Sequence, residues 1–460
     1  MSKAYLFNNV TVINEGRRYT GSVLVEEGRI KHIVEGVNEQ LQNIENPPVV
    51  IDGTGKLLLP GIIDSHVHFR DPGLTHKADM SSESRAAAAG GVTSFMDMPN
   101  CVPQTTTLEA LADKFENAAI NSHINYSFYL GATVDNTSLF AQLSTLAHRP
   151  CAVKIFLGSS TGNMSVNETS TLETVFREAA KYGLLLAAHC EDDQIIANNL
   201  TRKKHSANDI KALVNEIGFL AAHATIRSKA ACLASSALAI SLSLRYGTRF
   251  HLLHLTTKEE LQLLAACKGY APITAEACLP HILSACDDDC GITSSYLKCN
   301  PALKWLKDRE ALRQAIASGL VDTVATDHAP HLPHEKKGTY EQVPSGIPSV
   351  QFSLPAMLTL CNLGIFNYEQ IVEKMCHAPT RLFGVQERGY IREGYKADLV
   401  LVQKKEWTVQ AEHILSKCGW SPFEGRTLSH QVELTMVNGE IAYREGSIND
   451  DIRGEALTFH

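Results

Sequence analysis

Leu57-Leu-Leu-Pro60-Gly-Ile-Ile-Asp64-Ser-His66-Val-His68-Phe-Arg70-Asp-Pro-Gly73 is an apolar run that leads into two histidines two residues apart. The run reads as a strand, and along a strand alternate side chains share one face. His66 and His68 therefore project together from a strand end, which is how a metal site begins. Arg70 continues the alternation and would set a guanidinium fork, shaped for a carboxylate, beside the imidazoles. An HxH pair on a half-buried strand also arises by chance. What separates the two readings is whether other ligand-type residues terminate other strands.

Eight such apolar runs recur, at 61–68, 92–98, 124–130, 151–157, 184–189, 250–255, 272–276 and 321–327. Helical patterns fall between them, at 82–89, 108–119, 172–182, 229–244, 259–268 and 308–318. Strand and helix alternating in this way predict an α/β fold, a parallel (β/α)8 barrel of TIM type. The long interval between the fifth and sixth runs predicts one extra helix near 209–222. The flanks read as short antiparallel strands, with Asn8-Asn9 and Glu27-Gly28 as turns and Asn438-Gly439 as a hairpin signal. Residues 1–56 and 388–460 are accordingly expected to form one small β-sandwich domain from both termini, around a barrel domain at 57–387.

The 460 residues are 44% hydrophobic and 20% charged, ordinary for a globular enzyme. A net charge of -8 argues against sequence-independent nucleic-acid binding, which needs a basic face. No apolar run approaches membrane-span length, so no membrane partner is expected. The N-terminal residues lack the apolar core of a secretion signal, which makes the cytoplasm the expected location. The twelve cysteines are scattered and several sit inside apolar runs, as buried thiols do in a reducing compartment. Cys286 and Cys290, flanking three aspartates, read as a surface turn rather than a metal clip, because no second pair has zinc-site spacing.

In a barrel of parallel strands, functional groups gather at the strands' C-terminal ends. The first run ends in His66 and His68, the fifth in His189, the sixth in His254 and the eighth in Asp327, while the fourth carries Lys154. Scattered core histidines would rarely fall into that register. A cationic amine among metal ligands would repel the metal, but carbamylation by CO2 turns Lys154 into an anion with two bridging oxygens. Apolar neighbours Val153, Ile155, Phe156 and Leu157 work against its escape to water. The expected centre holds two divalent ions, with zinc favoured by imidazole-rich, thiolate-free ligation. His66 and His68 would bind one ion and His189 and His254 the other, with N6-carboxylysine at Lys154 and a hydroxide as bridges. Asp327 would ligate the first ion and act as general base and acid, accepting the water proton and passing it to the leaving nitrogen. That chemistry is hydrolysis of an amide or imide, in either direction.

These residues resemble the cyclic amidohydrolases of the amidohydrolase superfamily, and the dihydroorotase family most closely. The matching blocks are Asp64-Ser-His-Val-His-Phe-Arg-Asp-Pro-Gly73, Met98-Pro-Asn100, Val153-Lys-Ile-Phe156, Ala188-His-Cys-Glu191, Leu253-His-Leu-Thr256, Thr274-Ala-Glu276, Lys298-Cys-Asn-Pro301 and Ala325-Thr-Asp-His-Ala-Pro-His331. HxH is shared across the superfamily; the Arg70-to-Gly73 continuation and the Asp327-to-His331 spacing are more specific. The resemblance spans nearly the whole chain, both β-rich flanks included. It implies that Arg70, Asn100 and His331 hold a substrate carboxylate, and that Asn300 and the backbone at Ser345-Gly346 read ring amides. It further implies a small-molecule substrate, a homodimer, and reversible cyclisation of N-carbamoyl-L-aspartate to L-dihydroorotate, a step of pyrimidine biosynthesis. The chain departs from the pattern after Lys77, where an acid usually follows directly, at Cys278-Leu-Pro-His281, and at Ser345, where a larger apolar residue is frequent. The alternative is the same centre acting on allantoin or a hydantoin. A scaffold role without catalysis is disfavoured because all six ligand positions are filled. The Gly/Ser-rich stretch 158–163 reads equally as a loop over substrate or a plain connection.

Overall fold

The computed structural model describes residues 3–36, 47–158, 164–201, 207–288 and 291–460. Most of the 158–163 stretch, and Cys290 of the Cys286–Cys290 turn, lie outside the described residues.

Eight parallel strands stand side by side: Ile62–Val67, Val92–Asp97, Asn125–Gly131, Ala152–Leu157, Leu186–Cys190, Phe250–Leu252, Ile273–Cys278 and Thr323–Ala325. The ring closes where Val67 bridges His328 in parallel register, with the His68 N–H donating to the His328 carbonyl at 2.7 Å. The strands are buried on both faces, which explains why they read as continuous apolar runs rather than alternating ones. Two are half the length of the runs that predict them, or less. The apolar stretches 250–255 and 321–327 leave the ladder after Leu252 and Ala325, and the backbone turns left-handed at His254 (φ 39°) and Asp327 (φ 50°). Arg70 does the same beyond the first strand (φ 68°). Non-glycine residues adopt this region at a cost of about 1–3 kcal/mol each, and here all three are expected site residues.

Helices Met80–Ala89, Leu108–Asn121, Thr169–Lys181, Lys229–Tyr246, Lys258–Cys267 and Leu306–Ala317 cover the barrel close to the expected positions. The side chains of Asp79, Thr107, Ser228 and Thr257 accept from N–H groups of the first turns of their helices, which sets where those helices start. The interval expected to hold one extra helix holds three among the described residues: Asp193–Thr201, Ala207–Ile217 and Phe219–Ile226. Gly218 (φ 88°) breaks the second from the third.

The flanks build one mixed nine-stranded sheet. Tyr5–Asn14, Arg17–Glu26, Arg29–Glu35, Val49–Asp52 and Lys56–Pro60 come from the N-terminal side, and Leu399–Gln403, Gln431–Val437, Glu440–Arg444 and Ser447–Ile448 from the C-terminal side. Asn438 and Gly439, both at positive φ, make the tight hairpin. The pairing is not all antiparallel: Tyr5–Asn14 runs parallel to Val49–Asp52 and to Lys56–Pro60. The opening apolar run is two strands, not one. Lys56–Pro60 pairs with Leu399–Gln403 in this sheet, and Ile62–Val67 enters the barrel. Gly61 permits the crossing, because a Cβ there would lie 2.0 Å from Thr93 Oγ1. No helix among the described residues is long and apolar enough to cross a membrane.

Candidate metal centre

One cavity at the C-terminal ends of the strands is lined by His66, His68, Lys154, His189, His254 and Asp327, together with Asn300, Ser345 and Gly346. The first corner is built by the first and eighth strands. His66 Nδ1–H donates to Glu276 Oε1 at 2.7 Å, and His68 Nδ1–H to Asn100 Oδ1 at 2.7 Å. Both rings thereby turn an unprotonated Nε2 toward Asp327 Oδ1, at 3.3 Å and 3.1 Å. Three lone pairs then converge on one point, an arrangement that needs a cation there, a proton or a metal ion. The spacing agrees with ligands around a tetrahedral ion, which sit roughly 3.3 Å apart when each bond is about 2.0–2.1 Å. The residues present thus fit a divalent metal.

The second corner is built by the fifth and sixth strands. His189 Nδ1 and His254 Nε2 face each other at 3.0 Å. His189 Nε2 lies 3.2 Å from Glu191 Oε2, off the angle of a hydrogen bond, and His254 Nδ1 is buried without a hydrogen-bond partner among the described residues. The His66 and His254 ring centres are 5.5 Å apart, so the two corners share one cavity.

Lys154 is not at its strand's end. It pairs in mid-strand with Ala187 and Gly131, and the length of its side chain carries the amine to the cavity, 4.5 Å over the Phe156 ring. Burial brings its ammonium down to about 8, with the Asp327 and Glu276 carboxylates opposing. Burial would raise the Asp327 carboxyl, but when the His66 and His68 rings carry a proton their charge outweighs it and holds the group below the usual carboxylate range. Burial also depresses the His68, His189 and His254 imidazoles, the last most strongly because His189 and Lys154 add repulsion. Neutral imidazole is the form that ligates.

Arg70, Asn100 and His331 do not line this cavity: Asn100 and His331 contact lining residues, and Arg70 contacts His331. Arg70 is buried, donating from Nε to the Pro330 carbonyl at 3.1 Å, with Nη2 3.1 Å from His331 Nε2. His331 Nε2 also lies 3.0 Å from the Ser345 carbonyl, and Ser345 Oγ donates to Asn300 Oδ1 at 3.0 Å. Gly346 (φ 147°) can only be glycine, since a Cβ would come within 2.5 Å of the Ala329 carbonyl and 2.9 Å of His331 Nε2. Asn100 reaches the site through His68, so it orients that ring whatever else it contacts.

Sequence reasoning gave no role to the acids behind the ligands. Glu276 holds His66 and is itself held by Ser65 Oγ at 3.0 Å. Asp64 accepts from Thr326 Oγ1 at 2.6 Å and from the backbone N–H groups of Thr326 and His66 at 3.2 Å, tying the first strand to the eighth beside the ligands. Glu191 pairs with Arg227 behind His189. The signal was present: an acid inside an otherwise apolar, buried strand end is costly unless it is paired.

Residues 57–442 match the amidohydrolase family. The chain is 35% identical to a dihydroorotase of Halobacterium salinarum over 372 residues, 80% of this chain and 82% of that one. It is 32% identical to a dihydroorotase of Lactiplantibacillus plantarum over 441 residues, 95% of this chain and 98% of that one. Its fold superposes on the L-hydantoinase (dihydropyrimidinase) of Arthrobacter aurescens with a TM-score of 0.90, at 25% identity and over 100% of both chains. The chain belongs to the amidohydrolase family, as a metal-dependent hydrolase of cyclic amides.

Proposed function

We propose that the protein is a dihydroorotase, interconverting N-carbamoyl-L-aspartate and L-dihydroorotate. The observation that carries this reading is Arg70, 5% exposed beside the cavity and with no carboxylate in ion-pair distance among the described residues. A buried guanidinium without a counter-ion is costly, and a carboxylate-bearing substrate supplies one. The similar proteins of H. salinarum and L. plantarum, both dihydroorotases, support the same reaction.

In this reading His66, His68 and Asp327 would hold one zinc ion, and His189 and His254 the other. Lys154 would serve both as N6-carboxylysine; with its ammonium brought down to about 8, part of the amine is neutral near pH 7 and can add to CO2, losing a proton. When bound, the ions supply a water of lowered pKa and a Lewis acid for the carbonyl oxygen. Asp327 accepts the proton during hydrolysis and returns it to the leaving nitrogen. Ring closure starts from protonated Asp327 and strengthens in acid. Arg70, His331 and Asn100 hold the carboxylate, while Asn300 and the backbone at Ser345-Gly346 orient the ring amides. We assign residues 1–56 and 388–460 to a small β domain and 57–387 to the barrel, with Lys56–Pro60 as the strand that crosses the join. A cytoplasmic setting is supported by the described cysteines, all free thiols.

The match to the A. aurescens L-hydantoinase favours a second reading, a carboxylate-free ring as substrate. Metal content and turnover of L-dihydroorotate, a hydantoin and allantoin, measured on one sample, decide. Turnover of L-dihydroorotate in both directions, lowered about a hundredfold in Arg70→Ala, is the expected result. Preference for a carboxylate-free ring, untouched by that substitution, overturns the proposal.

A further inference from the structure

His331 lies between two cations and a carbonyl. Lys77 Nζ is 3.1 Å from its Nδ1, Arg70 Nη2 is 3.1 Å from its Nε2, and the Ser345 carbonyl is 3.0 Å from the same Nε2. A neutral imidazole has one N–H and one lone pair, so it cannot accept from both cations. Both cations can only donate, but the Ser345 carbonyl can accept from Nε2 while no acceptor stands within hydrogen-bond distance of Nδ1 among the described residues, so the ring proton goes to Nε2 and Nδ1 accepts from Lys77. Arg70 Nη2 then faces another donor. Burial, with Arg70 and Lys77 beside the ring, keeps His331 neutral far below the usual imidazole range. Lys77 is in turn held by Glu335, 2.8 Å from its ammonium, and both sit apart from the metal-facing groups. The result is two N–H groups, on His331 and Arg70, at one corner with a single acceptor between them.

We propose that Lys77, anchored by Glu335, is a positioning residue that locks His331 in its Nε2–H tautomer, so that the N–H it gives the Ser345 carbonyl is shared with the substrate carboxylate beside the Arg70 donor. This rests on the dihydroorotase reading for the identity of the anion, but not for the tautomer. Without Lys77 the ring is free to place its proton on Nδ1, toward Glu335 Oε2 at 3.8 Å, and to accept from Arg70. The corner would then lose a donor, and Arg70 would spend one on the ring.

The test uses the zinc-loaded protein labelled with nitrogen-15 histidine, with His331 assigned by comparison with His331→Gln. The expected spectrum of the native protein shows Nε2 protonated and Nδ1 as a hydrogen-bonded acceptor. Lys77→Met should shift His331 toward the Nδ1–H form and raise KM for L-dihydroorotate about tenfold, the worth of one hydrogen bond, with a smaller effect on kcat. Lys77→Arg, which keeps a donor, should restore the tautomer and most of the KM, and Glu335→Gln should move both readouts in the same direction as Lys77→Met but less. A native His331 protonated on Nδ1, or a Lys77→Met protein with unchanged tautomer and KM, overturns the proposal. If the native protein turns over no L-dihydroorotate, the functional reading fails while the spectrum still decides the tautomer.

Discussion

The two histidine pairs of the centre are made in different ways. His66 and His68 stand two residues apart on one strand, and each ring is oriented from behind by a neutral or anionic oxygen, Asn100 or Glu276. His189 and His254 are separated by 65 residues and meet only because the fifth and sixth strands pair, Ala188 against Leu252. The first pair needs only local geometry, since any strand presents alternate side chains on one face. The second pair needs the barrel, plus a left-handed backbone at His254 that no residue pattern announces. The first pair also has the carboxylate: Asp327 faces His66 and His68.

Asp327→Asn should show the sharpest consequence of that asymmetry. It removes the proton acceptor from the first corner while leaving an amide oxygen to ligate. Turnover should fall about a thousandfold or more, with the metal content unchanged by elemental analysis. An active Asp327→Asn enzyme would break the assignment of the proton to this corner. Next in size is ligand removal. His254→Ala leaves the second corner one imidazole, whereas His68→Ala leaves the first corner an imidazole and a carboxylate. After dialysis, His254→Ala should retain less metal than His68→Ala; equal and complete loss from both would mean that the corners bind as a single unit. Glu276→Gln should weaken metal binding about ten- to a hundredfold through His66, because a ligand ring's orientation and basicity depend on the group behind it. Competition with a chelator measures it, and the site built by His189 and His254 should hold its metal.

The smallest effect comes from a histidine outside the centre. His223 is buried, donating to the Cys299 carbonyl at 2.9 Å and meeting the Tyr340 hydroxyl at 2.8 Å. Burial, with Lys298 and Arg227 nearby, takes its pKa from 6.5 down to about 3. The folded pKa lies below the unfolded one, so the stability it contributes is full above pH 6.5 and is lost as pH falls toward 3. The slope should reach about 1.4 kcal/mol per pH unit for this group. Denaturation midpoints of native and His223→Gln proteins between pH 7 and 5 measure it; parallel curves would show that the imidazole titrates alike in both states.

The barrel was legible because buried parallel strands advertise themselves as apolar runs, and eight of them recur with helical patterns between. Their ends were less so. The runs at 250–255 and 321–327 stay apolar past the point where the chain leaves the ladder, because the residues there are still buried while the backbone turns to aim His254 and Asp327. The run from Leu57 hid a change of sheet at Gly61, since both halves are equally buried strand. Glu276, Glu191 and Asp64 were visible as acids in apolar surroundings, but what each acid holds depends on strands far away in the chain.

The sequence by itself determined the fold class, the residue types of the centre and the pairing of His66 with His68. These follow from periodicity and from side chains a few residues apart. The tertiary structure alone decided which histidine faces which, that Lys154 reaches the cavity from mid-strand, and that Arg70 and His331 crowd their donors into one corner beneath Lys77. Each of those facts is a distance between groups on different strands or loops, set by how the barrel closes and by where the backbone leaves its ladder.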